Sequence, residues 1–179
     1  MDNIIKFDAL AYAGRRILAL GAHPGDIELG AGGTVALLTG SGALVTMAVI
    51  SVPSPRATLM AESECAARLL GAQVRFLNPE CEMRIEDVSI KKIAAQIRAL
   101  IEEIQPAVIL THAPANSGRE RSVYEACVMA RGLSAIDLLC FNTTACGYPL
   151  RAFKPDAYVD ISGSITKKMG AIKYLKSKT

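Results

Sequence analysis

Apolar runs alternate along this chain with segments of helical period, and the alternation constrains the fold more than any other feature. The strand-like runs are too continuously apolar for one face to meet water, which is typical of a parallel sheet covered by helices on both faces. Strands are predicted at 16–23, 43–51, 72–78, 107–112, 135–141 and 157–162, and helices at 30–42, 57–71, 86–106, 120–132 and in the lysine-rich last segment. We therefore expect an α/β, Rossmann-like three-layer fold with a mainly parallel sheet.

Length and composition exclude several classes of protein. With 179 residues, the chain is long enough for one compact domain and too short for two, so 1–179 is expected to form a single domain. No apolar run reaches the ~18 residues of a membrane span, and the first residues lack the pattern of a signal peptide, so we expect no membrane span and a cytoplasmic location. A net charge of only +3 without an aromatic-plus-basic motif argues against nucleic-acid binding. The five cysteines form no C-x-x-C pair and are expected to be free core residues.

A glycine cluster follows the strand predicted at 16–23. Gly30, Gly32 and Gly33 give G-x-G-G instead of the G-x-G-x-x-G of dinucleotide-binding folds, and no acidic residue ends the next strand. A nicotinamide cofactor is therefore not expected. The glycines are expected to let a helix pack closely against the sheet.

Polar side chains follow two of the predicted strands. His23, Asp26 and Glu28 come after the strand at 16–23, and Thr111 and His112 end the strand at 107–112. Ligands of parallel sheets bind beyond the carboxyl ends of the strands, so both clusters are candidates for one crevice. The His-x-x-Asp spacing fits two ligands of one metal ion, but a catalytic zinc needs about three protein ligands and an open position. On spacing alone, a hydrogen-bonded loop and a core histidine remain open alternatives.

Four segments resemble one known family. They are "AHPGDIELGAGGT", "AARLLGAQV", "PAVILTHAP" and "PDAYVDIS" followed by lysines, in order along nearly the whole chain. They resemble the PIG-L/LmbE family of zinc-dependent N-deacetylases, whose first motif runs A-H-P-D-D-x-x-L-G-x-G-G. The resemblance implies a relative of enzymes that remove the acetyl group from N-acetylglucosamine-type sugars. It also implies a homo-oligomer, and family members usually continue beyond the point where this chain stops, so the domain is expected to be C-terminally short.

The chain departs from the family at the catalytic positions. The resemblance implies that His23 and Asp26 are metal ligands, while Gly25 stands where the general base is expected. The second motif, T-H-x-P-x-D-x-H-x-D-H, corresponds to "THAPANSGRER". Arg121 therefore stands at the third zinc ligand, and Gly118 at the histidine that stabilises the tetrahedral intermediate. Asn116 and Glu120 replace the two aspartates.

These replacements predict a degenerate catalytic centre. Glycine cannot act as a base, and arginine has no lone pair for a metal ion. We expect no zinc, or weak zinc at His23 and Asp26. We expect the metal position to hold either a pair between Arg121 and Asp26 or water. The family's R-x-x-E arginine is replaced by Leu59, so Arg56 becomes the nearest basic candidate, although an exposed arginine fits equally well. The candidate ligand-binding residues are Glu28, Arg56, His112, Asn116 and Arg121.

The sequence thus predicts a protein that binds a sugar-like molecule with little or no deacetylase activity. Two alternatives remain open. One is a true amide hydrolase whose unusual metal shell consists of His23, Asp26 and Glu120. The other is a non-catalytic subunit or scaffold in a saccharide or natural-product pathway.

Overall fold

The structure is a computed structural model that describes residues 5–79, 84–114, 118–143 and 153–178. The strands are β1 (Ile5–Lys6), β2 (Arg16–Gly21), β3 (Leu44–Val49), β4 (Gln73–Phe76), β5 (Val108–His112), β6 (Asp137–Phe141) and β7 (Ala157–Tyr158). The α-helices are α1 (Asp26–Gly40), α2 (Arg56–Leu70), α3 (Ile90–Ile104), α4 (Gly118–Arg131) and α5 (Ile165–Ile172). Short 3-10 turns occupy Ala9–Tyr12, Ile85–Asp87 and Lys176–Lys178.

Five of the described strands form one parallel sheet in the order β4-β3-β2-β5-β6. From β2 the chain proceeds outward to β3 and β4, and then crosses back to continue with β5 and β6 on the other side. The predicted α/β fold with a mainly parallel sheet is therefore confirmed. The last predicted strand is shorter than its pattern suggested, because only β7 is extended, and it pairs with β1 in a separate two-stranded sheet.

Successive side chains of β2 and β5 point into two different apolar clusters. Ile17, Ala19 and Leu110 face α1, α2 and α5, while Leu18, Leu20 and Ile109 face α3 and α4. These strand residues are at most 4% exposed. Both faces of β2 and β5 are covered, so neither face requires polar side chains. This explains why their sequences are continuously apolar and do not alternate with polar residues.

The glycines of α1 allow close packing. A Cβ at Gly30 would lie 2.3 Å from Cδ2 of Phe141 in β6, so the expected contact between helix and sheet is confirmed there. A Cβ at Gly33 would lie 2.6 Å from Cδ1 of Ile161, which precedes α5. The second contact is therefore with the last segment of the chain and not with the sheet. The helix itself begins at Asp26, four residues before its predicted start.

The described cysteines are free, as expected: Cys127 is buried, and Cys65 and Cys140 are partly buried. Burial raises the pKa of the Cys127 thiol to about 12. Cys81 and Cys146 lie outside the described residues. Within the described part of the chain, no helix combines the length and the hydropathy that crossing a membrane requires.

Candidate functional site

The sheet contains a crevice between β2 and β5. Backbone pairing between these strands ends at Ala19 and Leu110, whereas β2 remains paired with β3 as far as Gly21 and Val49. The chain also leaves β2 and β5 in connections that run to opposite sides of the sheet. This is the topological switch point at which ligands of open parallel sheets bind. Both predicted polar clusters belong to this edge.

The loop after β2 carries the first motif. Gly25 has a φ of 93° and precedes the first residue of α1, so the loop turns through a left-handed conformation that favours glycine. The Oδ2 atom of Asp26 accepts a hydrogen bond of 2.7 Å from the His23 N–H. His23 and Asp26 are both partly exposed. The two predicted metal ligands therefore stand side by side, with no side chain at the position of the general base.

His112 reaches this loop from the end of β5. Its ring is fully buried, and Nε2 accepts a hydrogen bond of 3.1 Å from the Ala22 N–H. The same Nε2 atom lies 3.5 Å from Oδ2 of Asp26. The ring also packs against Phe141, with 4.9 Å between the ring centroids. The structure thus joins the two polar clusters, and His112 does so as a buried residue that accepts a hydrogen bond from the loop.

The first turn of α4 carries the end of the second motif, positions 118–121, and its side chains diverge. Glu120 is 5% exposed and faces inward. Arg121 has a side chain that is 64% exposed, and its Nε donates a hydrogen bond of 2.9 Å to Glu125 Oε1 one turn later. The predicted pair between Arg121 and Asp26 is wrong, because each helical residue turns by about 100° and position 121 faces away when 120 faces inward. Asn116 lies outside the described residues.

The described side chains do not fit the zinc ion that the resemblance implies. A catalytic zinc needs about three protein ligands. Within residues 5–79, 84–114, 118–143 and 153–178, no three His, Cys, Asp or Glu side chains form a group that could hold a metal ion. The alternative shell of His23, Asp26 and Glu120 is therefore not assembled in this structure.

Two further ligand-binding candidates lie near the same edge of the sheet. Glu28 is fully buried in the first turn of α1, and Arg56 is the partly buried first residue of α2. Leu59, at the position of the family's arginine, belongs to an apolar cluster with Val49 and Val52. Contacts of Glu28, Arg56 and His112 with a ligand stay predictions.

Sequence reasoning missed two members of this site. Ala22 contributes only its backbone N–H, which no side-chain pattern can indicate. Phe141 resembles any other apolar residue of a buried strand, although Gly30 offered an indirect signal. A glycine inside a helix indicates a close neighbour, and here that neighbour is the Phe141 ring.

Comparisons of structure place several deacetylases near this fold, whereas a search of curated protein sequences finds no significant match. A conserved protein of Thermus thermophilus superimposes with a TM-score of 0.77 and 18% identity, over 92% of this chain and 80% of that chain. The N,N'-diacetylchitobiose deacetylase of Pyrococcus horikoshii gives 0.71 and 19%, over 92% and 71%. The 4-carboxy-2-hydroxymuconate hydratase GalB of Pseudomonas putida gives 0.66 and 20%, over 92% and 80%. At these identities the comparisons establish the fold, which supports more than one chemistry.

Family membership comes from the sequence itself. The family described as PIG-L, GlcNAc-PI de-N-acetylase, matches residues 18–128, which is more than half of the chain. The matched range contains most of β2, the loop with His23 and Asp26, His112 and the first turn of α4. This chain therefore belongs to the PIG-L family of GlcNAc-PI de-N-acetylases.

Proposed function

We propose that this protein binds an N-acetylglucosamine-type sugar at the crevice between β2 and β5 and has little or no deacetylase activity. Three observations support the sugar class and the location: the PIG-L match, the deacetylases among proteins of similar fold, and the position of the polar cluster at the switch point. The low activity follows from the residues that this chain carries at the catalytic positions.

The observation that carries the proposal is the orientation of the first turn of α4. The resemblance assigns two catalytic roles to the end of the second motif, at positions 118 and 121. Here Arg121 faces solvent and pairs with Glu125. Gly118, at the position of the other histidine, has no side chain, and no described atom lies within 4 Å of where its Cβ would be. Neither position therefore offers the first motif a histidine, which supports the proposal of low activity.

The first motif also lacks a base. A positioned general base contributes a factor of about 10²–10⁴ to the rate. Gly25 supplies no atom that can take a proton from water. Asp26 is the adjacent carboxylate, but its Oδ2 atom already accepts the His23 N–H. This hydrogen bond holds the carboxylate in the loop.

Binding and catalysis can be measured on the same sample. We expect N-acetylglucosamine to shift the amide resonances of Ala22, His23 and Asp26 in a ¹H–¹⁵N NMR titration, and we expect no acetate release above a protein-free control. Glucosamine, which lacks the acetyl group, is the matched control ligand and should bind more weakly. Acetate release that grows with protein concentration would contradict the loss of activity. An unchanged spectrum would contradict sugar binding and favour the scaffold alternative.

The metal content of the purified protein is an independent test. After incubation with zinc and removal of excess ion, we expect much less than one zinc per chain by atomic emission. About one tightly held zinc per chain would contradict the proposal and support a hydrolase.

Replacing all three departures together tests the orientation of the first turn of α4. The variant Gly25→Asp, Gly118→His, Arg121→His restores the family residue types, but position 121 faces solvent in this structure. We therefore expect the triple variant to remain without stoichiometric zinc and without activity. Zinc uptake by this variant would show that the first turn of α4 takes a second orientation, with residue 121 inward.

A further inference from the structure

Ala22 is bonded to both sides of the crevice. Its carbonyl accepts a hydrogen bond of 3.0 Å from the Ser51 N–H, beyond the end of β3. Its N–H donates to Nε2 of His112, on the β5 side. Backbone pairing between β2 and β5 has already ended three residues earlier, at Ala19. The His112 ring therefore supplies the acceptor that a neighbouring strand would otherwise provide.

This geometry fixes the position of the proton on the imidazole ring. A ring nitrogen that accepts an N–H bond must carry a lone pair, so Nε2 of His112 is unprotonated and the ring proton resides on Nδ1. Nε2 then cannot donate to Asp26. The 3.5 Å contact joins two acceptors, each with its own backbone donor, because Ala22 N–H serves Nε2 and His23 N–H serves Oδ2.

The second ring nitrogen of His112, Nδ1, differs from Nε2 in its hydrogen bonding. Among the described residues, none forms a hydrogen bond with the buried Nδ1 atom of His112. The reversed tautomer, with the proton on Nε2, would leave Ala22 N–H without its acceptor and direct the proton toward Asp26. The tautomer with the proton on Nδ1 therefore predicts that the ring holds the Ala22 N–H, and the tautomer with the proton on Nε2 predicts that it does not.

We infer that His112 is a positioning residue, which as the Nδ1–H tautomer anchors the loop that carries His23 and Asp26 to β5. Each of the two acceptor atoms has a backbone donor, the Ala22 N–H for Nε2 and the His23 N–H for Oδ2. The inference depends on hydrogen bonding and burial alone and is independent of the ligand proposed above. Its role is to hold the loop and not to react.

The protein offers a simple spectroscopic test, because His23 and His112 are its only two histidines. Long-range ¹H–¹⁵N NMR of the imidazole rings in the full chain distinguishes a protonated from an unprotonated ring nitrogen, and His23→Gln assigns the two patterns. We expect His112 to show a protonated Nδ1 and an unprotonated Nε2. A protonated Nε2 would overturn the inference, whether alone or in a doubly protonated ring.

Hydrogen exchange tests the anchoring itself. His112→Phe keeps a ring and removes the acceptor, so we expect the Ala22 amide to exchange at least tenfold faster, with β3 and β4 unchanged. His112→Gln keeps an acceptor at the end of the side chain and should restore part of the protection. Thr111→Val is the matched control, since Thr111 is the fully buried neighbour on the other face of β5 and should leave Ala22 exchange within twofold. Unchanged exchange in His112→Phe, or equal acceleration in Thr111→Val, would overturn the anchoring. If His112→Phe does not fold, the tautomer of the unaltered protein decides the question.

Discussion

The loop after β2 carries the first motif and the first turn of α4 carries the end of the second, and the two segments differ in their hydrogen bonds. The loop is held on both sides, by the Ser51 amide beyond β3 and by the His112 ring on β5. In the first turn of α4, Arg121 bonds to its own helix through Glu125. By the resemblance, His23 and Asp26 keep the family residue types, whereas Gly25, Gly118 and Arg121 depart from them.

This contrast shows how differently the two segments depend on their surroundings. His23, Asp26 and His112 are engaged with the backbone around the crevice, so replacing Asp26 or His112 disturbs the fold as well as any ligand. Positions 118 and 121 are exposed, so replacing them costs the fold little.

The strongest way to test the contrast is to remove the anchor of the loop. His112→Ala leaves the Ala22 N–H without its acceptor and opens a cavity beside Phe141. We expect a loss of about 3 kcal/mol in the free energy of unfolding, measured by urea denaturation. A loss below about 1 kcal/mol would mean that the loop is held by other contacts.

A second substitution tests the packing around the same ring contact. Gly30→Ala places a methyl group 2.3 Å from the Phe141 ring, which itself packs against His112. We expect a loss of about 2 kcal/mol from overpacking. Gly40→Ala is the control in the same helix, because no described atom lies within 4 Å of its Cβ position, and it should be neutral or slightly stabilising. Equal effects at both positions would contradict the role of the ring contact.

Restoring only the carboxylate at position 25 should lower the free energy of unfolding and produce no activity. Gly25→Asp forces a side chain into a left-handed conformation, which costs about 1 kcal/mol. Gly42→Asp is the matched control, since Gly42 also has a positive φ, of 90°, and lies beyond the opposite end of α1. We expect Gly25→Asp to cost no more than Gly42→Asp, because the helix dipole favours a carboxylate at the N-terminus of α1 and disfavours one beyond its C-terminus. Detectable acetate release by Gly25→Asp would show that the second motif is not needed.

The smallest effect is expected at the second motif. Arg121→Ala removes an exposed pair within one helix, which contributes less than about 1 kcal/mol. The same urea titration and its salt dependence can measure the difference. A loss of about 3 kcal/mol would be typical of a buried pair and would place Arg121 inside the site after all.

The strands and helices were predictable because their patterns are local. The apolar runs of β2, β3 and β5 reflect burial on both faces, and Gly71 ends α2 in the left-handed conformation that a helix-stopping glycine adopts. The segment 157–162 was harder to predict, since its β propensity cannot reveal that only two residues find a partner strand, β1.

At the site, the positions of His23, Asp26 and His112 followed from a general rule about the carboxyl ends of parallel strands. The direction of Arg121 did not, because a motif aligned by residue type does not give the rotation of a helix. Glu120 and Arg121 are adjacent in the sequence, yet Glu120 faces inward and Arg121 faces solvent. The contribution of Ala22 was also beyond prediction, since any residue except proline offers the same N–H.

The bond between Ala22 and His112 also has a consequence for how the molecule folds. It spans 90 residues of sequence, whereas β2, β3 and β4 are consecutive in the chain and pair across short connections. Closing a longer loop costs more chain entropy, so distant contacts tend to form later. We expect the β2–β4 unit to form during refolding before the loop with His23 and Asp26 is fixed. The crevice is then completed only when β5 docks, and the Ala22 amide would be among the last to gain protection.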